Sequence, residues 1–247
     1  MVNHYAPLDP AQTDPRLLNH REVLRLDAFG AQAGFGLSVL QERGLFQGAP
    51  PRGTPAGGAA AAPLLTWPFL DFVDGLDVGR ESLLELGAGE STLWFSSRFA
   101  RVRSFETDAE WFRALSARVG PNVELTQAGL AQLEDADIAY RKEDWVLVDF
   151  AGKRTRFLSR FFAGLARDDR PAVVVLDNAD WYRRGADILK QNDYVEIPFY
   201  GFKSGQSWIS CTSLFFDPAR SRLRQREPFF QPPFSRSPSA NRWDSIE

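Results

Sequence analysis

The stretch LLELGAGESTLWF, residues 83–95, sets Gly87 and Gly89 between an apolar segment and what reads as the start of a helix. Glycines at a strand-to-helix turn let backbone N–H groups approach a ligand closely, and the helix N-terminus adds partial positive charge. That chemistry suits a phosphate or a carboxylate. A Walker A loop is excluded, because no Gly-Lys-Ser/Thr occurs in GAGEST. The dinucleotide pattern G-x-G-x-x-G is only partly met, with Thr92 standing where a third glycine or alanine belongs. Glu85 precedes the first glycine by two positions and Glu90 follows the second, so a pyrophosphate here would meet two carboxylates. Ser91 or Thr92 would cap the helix with either ligand, so the hydroxyls do not discriminate.

A ligand with an ammonium, a sulfonium and one carboxylate fits this charge pattern better, and S-adenosylmethionine (SAM) has that combination. Glu106, in VRSFETD about 20 residues beyond the loop, is placed to accept hydrogen bonds from ribose hydroxyls. Together ELGAGES and FETD resemble the class I SAM-dependent methyltransferases, whose first motif is an acid followed by x-G-x-G and whose second strand ends in a ribose-binding acid. The order of elements extends the resemblance over about residues 65–217. It implies that Glu85, Gly87, Ala88, Gly89 and Ser91 surround the methionine portion of the cofactor, Glu106 its ribose, and Ala128 and Gly129 its adenine. Two other readings stay open: a non-catalytic scaffold that keeps the fold, and a nicotinamide-dependent oxidoreductase.

Ligands of open parallel sheets lie beyond the carboxyl ends of the strands, so Asp149 in VLVDF and Asp177-Asn178 in VVVLDNAD are expected to face the same cleft as the glycine loop. Asp149 would border the cofactor as well as the acceptor. The three side chains are similar to those of the catechol O-methyltransferase type, which implies Mg²⁺ held by Asp149, Asp177 and Asn178. Oxygen ligands suit that ion, which would acidify a substrate hydroxyl and align it with the methyl group. The lysine of that type follows its Asp by three residues, whereas Lys153 follows Asp149 by four. The competing reading is that Asp149 caps the next helix and Asp177-Asn178 forms an Asx turn. Without a metal, Asp149 or Asp177 would orient or deprotonate the acceptor, and Lys153 with Arg154 would suit an anionic group on it.

These residues need a frame. From Ser82 onward, β-like runs alternate with helical stretches such as DAEWFRALSARV, which implies a parallel sheet covered on both faces. The continuous apolar character of WVLVDF and AVVVLD supports burial on both sides. The alternation ends at YVEIPFY and WISCTSLFFD, read as an antiparallel hairpin joined by the loop GFKSGQS, a loop of the kind that lines acceptor pockets. The fold class is therefore α/β: a Rossmann-like doubly wound, mostly parallel sheet with a C-terminal antiparallel hairpin and an N-terminal helical extension. The organisation reads as a helical extension over 1–47, a Pro/Gly/Ala-rich linker over 48–63, a SAM-binding domain over 64–217 and an extended tail over 218–247. The segment LTWPFLDFVDGL is expected to be an amphipathic helix with Trp67, Phe69 and Phe72 buried. Trp94, Trp111, Trp145 and Cys211 are expected in the core, and Arg183 and Arg184 on a solvated helix face.

The 247 residues, 44% hydrophobic and 25% charged, are ordinary globular proportions and argue against general disorder. A net charge of -3 speaks against a nucleic-acid partner, leaving a small-molecule acceptor as the expected substrate and a homo-oligomer as an open option. One cysteine, no basic-then-apolar leader and no apolar run of about 18 residues point to a cytoplasmic setting with no membrane partner. Both histidines, His4 and His20, precede the domain, so histidine chemistry is not expected in its cleft.

Overall fold

The computed structural model describes residues 63–221 and 223–226, together with Leu40 and Arg43. The described residues from 63 to 226 belong to one compact unit. Nearly all of the expected helical extension and of the linker, and most of the tail, lie outside the described residues.

Seven strands form one sheet: β1 (Ser82–Leu86), β2 (Arg101–Glu106), β3 (Val123–Gln127), β4 (Trp145–Val148), β5 (Val173–Asp177), β6 (Val195–Lys203) and β7 (Gln206–Phe216). Their order is β3-β2-β1-β4-β5-β7-β6, parallel from β1 to β5 and antiparallel for β6 and β7. The chain leaves β1 toward β3, then returns to place β4 on the other side of β1. This reversal is the switch point at whose carboxyl edge open sheets take their ligands. Backbone register there is tight, with the Asp149 amide donating to the Leu86 carbonyl at 2.8 Å.

Strands β4 (WVLV) and β5 (VVVLD) are buried at every position, as strands covered on both faces must be. Helices α1 (Trp67–Asp74), α2 (Glu90–Ser96), α3 (Ala109–Ser116), α4 (Leu130–Glu134), α5 (Arg154–Ala163) and α6 (Arg183–Gln191) provide the cover. In α5 the spacing of Phe157, Leu158, Phe161 and Phe162 lays one apolar face on the sheet, where all four side chains are buried. In α3, Asp108 caps the first turn, its carboxylate accepting from the amides of Glu110 and Trp111 at 2.9 Å each.

The hairpin departs from expectation in an instructive way. GFKSGQS is not a loop: β6 runs through Lys203 and β7 starts at Gln206, so the turn is only Ser204–Gly205, with Gly205 at φ +68°. Residues 212–216 of β7 pair with β5, while 206–211 continue past the carboxyl edge of β5 with β6 alongside. Helix α1 abuts this overhang. A Cβ on Gly201 would lie 2.5 Å from Pro68 Cδ, and the Thr66 hydroxyl donates to the Phe199 carbonyl at 3.0 Å. Within α1, Trp67 and Phe69 are buried and Phe72 is half-buried. The start of the tail is pinned by backbone pairing of Leu76 with Gln225.

Candidate functional site

The glycine loop leaves β1 at Leu86. Gly87 adopts φ +97°, and a Cβ there would fall 2.7–2.8 Å from the backbone of Asp149 and Phe150. Only glycine fits, because the conformation is left-handed and the β4 backbone occupies the space. The amides of Gly87 and Ala88 both donate to the Phe105 carbonyl, at 2.9 and 3.1 Å, which fastens the loop to β2 as well. Gly89 is different: its backbone is extended, and a Cβ would meet nothing closer than Trp111 Nε1 at 3.8 Å. The first glycine serves the fold, and the second leaves one wall open. Trp111 stands beside that wall, half-buried, its indole donating to the Ala88 carbonyl at 2.9 Å.

Glu85 lies beneath the loop and is fully buried. The hydroxyls of Ser91, Thr92 and Ser104 each donate to its carboxylate at 2.5 Å. Burial pushes its pKa up to about 7, against the lowering pull of these three hydrogen bonds. Glu85 thus organises the loop from inside, tying β1 to β2 and to the first turn of α2. Ser91 is committed to the same cage. Glu90 is held by Arg118 through two bonds of 2.5 and 2.8 Å, so the repulsion that the sequence assigns to this acid is cancelled within the protein. At the end of β2, Glu106 is buried and accepts from the amides of Thr107 and Asp108 at 2.7 Å each, which fixes its carboxylate at the carboxyl edge. Ala128 is buried just beyond β3, and Gly129 has no atom within 4 Å of where a Cβ would stand. Glu85, Gly87, Ala88, Gly89, Ser91, Glu106, Ala128, Gly129 and Asp149 therefore all lie at the carboxyl ends of β1 to β4.

At β4 and β5 the acids are held by cations. Arg154 is buried and donates to Asp149 Oδ1 at 2.9 Å and to the carbonyls of Asp149, Phe150 and Asp177. Lys203, 3% exposed, places Nζ 2.5 Å from Asp177 Oδ2, and the Thr212 hydroxyl donates to Oδ1 at 2.7 Å. The Asp149 side chain keeps 19% exposure. Its pKa is raised by burial first and by the charge of Asp177 second, with Arg154 and Lys203 opposing.

The donor set does not fit the Mg²⁺ expected at Asp149, Asp177 and Asn178. Both Asp177 oxygens are taken, Asp149 is paired with Arg154, and the Asn178 amide donates to the Ser210 hydroxyl at 3.1 Å. A divalent cation would have to displace two protein cations at close range. Among the described residues, no group of three or more His, Cys, Asp or Glu is arranged to hold a metal. Asn178 instead sits in a left-handed turn at φ +53°, and neither it nor Asp177 makes the side-chain-to-backbone bond of the expected Asx turn.

Lys153 is not brought to Asp149. It is exposed at the N-cap of α5 and lines a groove between α5 and α6, while its neighbour Arg154 turns inward. Arg154 is therefore unavailable for a substrate anion. Of Trp94, Trp111 and Trp145, only Trp145 is buried, at 1% exposure. Trp94 is half-buried under the Arg98 guanidinium, 3.6 Å from its ring centroid. Cys211 is buried, and Arg183 and Arg184 are exposed. No helix among the described residues is long and apolar enough to cross a membrane.

No family model matches the chain, and no curated protein matches its sequence. Solved structures do. A putative O-methyltransferase from Klebsiella pneumoniae is 15% identical with a TM-score of 0.50, over 74% of this chain and 96% of its own. A precorrin-6y C5,15-methyltransferase from Geobacter metallireducens GS-15 is 17% identical with a TM-score of 0.47, over 64% and 93%. A B. subtilis tRNA methyltransferase is 12% identical with a TM-score of 0.42, over 62% and 67%. The sheet order, the C-terminal antiparallel hairpin and the likeness to the Klebsiella protein show that this chain has the class I SAM-dependent methyltransferase fold.

Proposed function

We propose that the chain is a methyltransferase that moves the methyl group of SAM to an oxygen or nitrogen of a small-molecule acceptor without a divalent cation. The observation that carries the reading is the pairing of the two glycines: Gly87 wedged against Asp149 and Phe150, and Gly89 open beside Trp111. Bound SAM would supply an electrophilic methyl on a sulfonium. The N-terminal end of α2 would receive the carboxylate of its methionine portion. Glu106, oriented by two amides, accepts from the ribose hydroxyls. Asp149, partly exposed and with its proton affinity raised, faces the acceptor. This carboxylate would take the proton of the acceptor O–H or N–H, the methyl group itself being what bound SAM would supply. Arg154 holds Asp149 in place and Lys203 holds Asp177, so the reacting carboxylate has a fixed direction.

Gly89→Val tests the carrying observation. An extended backbone accepts a β-branched residue, and the space at the Cβ lies on the ligand side, so the melting temperature should stay within about 2 °C of wild type while SAM affinity falls at least tenfold. Calorimetry with SAM and S-adenosylhomocysteine measures the second quantity. No heat from the wild-type protein at millimolar ligand overturns the reading, and transfer of labelled methyl from SAM to a pooled metabolite extract tests turnover directly.

A further inference from the structure

Helices normally carry acids in the first turn, where backbone N–H groups and the macrodipole present positive charge. After β1 and β2 this holds: Glu90 opens α2, and Asp108 and Glu110 open α3. On the side of β4 and β5 it is reversed. Neither α5 nor α6 has an acid in its first turn or a side-chain cap. Lys153, Arg154 and Arg156 crowd the start of α5, and Arg183 and Arg184 the start of α6. Of these, only Arg154 is consumed by the site described above.

The two helices run side by side, with Gly185 letting them approach: a Cβ there would meet Leu158 Cδ1 at 3.0 Å and Thr155 Oγ1 at 3.3 Å. Between them opens a cavity of about 680 Å³ with Lys153, Arg156, Arg160 and Arg184 on its walls and the hydroxyls of Thr155 and Ser159 among its lining groups. That volume is in the range of small-molecule sites. Arg156 is paired with Asp135 at 2.5 Å, and Asp187 is an acid in the groove itself. Among the described residues, no ion pair is recorded for Lys153, Arg160 or Arg184. Lys153 and Arg184 thus stand unpaired at two uncapped helix starts, and Arg160, in the last turn of α5, lines the same groove farther along, in a chain whose net charge is -3. An anion between the helices would be attracted by all three.

We propose that this groove binds the phosphate or pyrophosphate of the acceptor. The mouth is near the reaction side, because Lys153 follows Asp149 by four residues, a chain span of at most roughly 14 Å. A nucleotide-sized phosphate ester would place its anion against Lys153, Arg160 and Arg184 and its nucleophile toward Asp149. The naming of the acceptor rests on the reaction proposed above, whereas phosphate binding does not.

The test uses the full chain and inorganic pyrophosphate as the probe, followed by calorimetry at constant ionic strength with chloride as the control salt. Wild type should bind pyrophosphate saturably, and Arg160→Glu/Arg184→Glu, which alters two exposed residues, should lose at least tenfold in affinity. SAM affinity in that variant should be unchanged, so a failure of the groove and a failure of the cofactor site are read separately. Equal responses to pyrophosphate and chloride, or equal binding by wild type and variant, overturn the proposal and leave two solvated helix faces. A short single-stranded RNA that binds more tightly than pyrophosphate, with the same loss in the variant, overturns the small-molecule acceptor in favour of a nucleic-acid backbone.

Discussion

On the β1–β3 side of the sheet Glu85 is held by three hydroxyls and Glu106 by two backbone amides, whereas on the β4–β7 side Asp149 and Asp177 are held by Arg154 and Lys203. Neutral donors satisfy a buried carboxylate without cancelling its charge. Cations cancel the charge, but they cannot be removed singly without stranding their partner. The first half therefore keeps uncancelled carboxylate charge, responsive to pH at Glu85 as Asp149 is on the other side, and suited to a sulfonium and an ammonium. The second half is locked, electrically balanced at its floor and basic at its rim. One cleft with two unlike walls is what a cationic methyl donor and an anionic acceptor would need.

The largest effect expected from breaking this contrast is on the locked side. Lys203→Met leaves Asp177 buried without its cation, a defect that typically costs about 3–5 kcal/mol, or roughly 10 °C in melting temperature for a unit of this size. The double variant Lys203→Met/Asp177→Asn should recover most of that loss, because it removes both charges together. Thermal unfolding of the two variants checks the claim. A single variant as stable as wild type would mean that Asp177 reaches water and that the pair is ornamental.

The responsive side predicts a smaller and pH-dependent effect. Glu85 has a folded pKa of about 7 against an ordinary value of 4.5, so the folded state holds its proton more tightly than the unfolded state. Its contribution to stability is fully present below about 4.5 and is lost as pH rises through about 7, a change on the order of 3 kcal/mol at most. Asp149, also raised, acts in the same direction, so the informative quantity is the difference between wild type and Glu85→Gln. Denaturant midpoints measured from pH 4.5 to 8 should fall less steeply in the variant. Parallel slopes would place the titration elsewhere.

Much of this frame was legible in the sequence, and what was missed has physical reasons. Continuous apolar runs such as VVVLD mark strands buried on both faces, and an acid two residues before a glycine pair marks the loop, so the sheet and the place of the loop follow directly. Arg154 is read with Lys153 as a pair facing an anionic group on the acceptor, because charge outweighs position in such a reading. Its spacing to Phe157, Leu158 and Phe161 nevertheless places it on the apolar face of α5. Lys203 was lost in a segment that two glycines make look like a loop. Period-two alternation carried the signal: Phe199, Gly201 and Lys203 fall on one face of β6, opposite Thr212 and Ser210 of β7, the face that meets Asp177. Trp111 was assigned to the core by its size, but its place in the first turn of α3, at the carboxyl edge, sets it over the loop. The metal expectation failed because a pattern of oxygen side chains does not reveal which cations the fold already brings to them.

The smallest expected effect concerns Glu90, the acid whose charge first argued against a phosphate. It lies on the responsive side but is paired as the other half pairs its acids, with a guanidinium, and its side chain is 10% exposed. Because Arg118 already cancels the charge, Glu90→Gln should change both stability and SAM affinity by no more than about 1 kcal/mol, the range for ion pairs near the surface. Calorimetry and thermal unfolding in the same buffer measure both. A loss of tenfold or more in SAM affinity would show that Glu90 acts on the ligand ammonium through Arg118 rather than being silenced by it. The negative character of the loop would then rest on two acids, and the contrast between the walls would be sharper. With the expected near-neutral result, Glu106 and the hydroxyl-bound Glu85 carry that character alone.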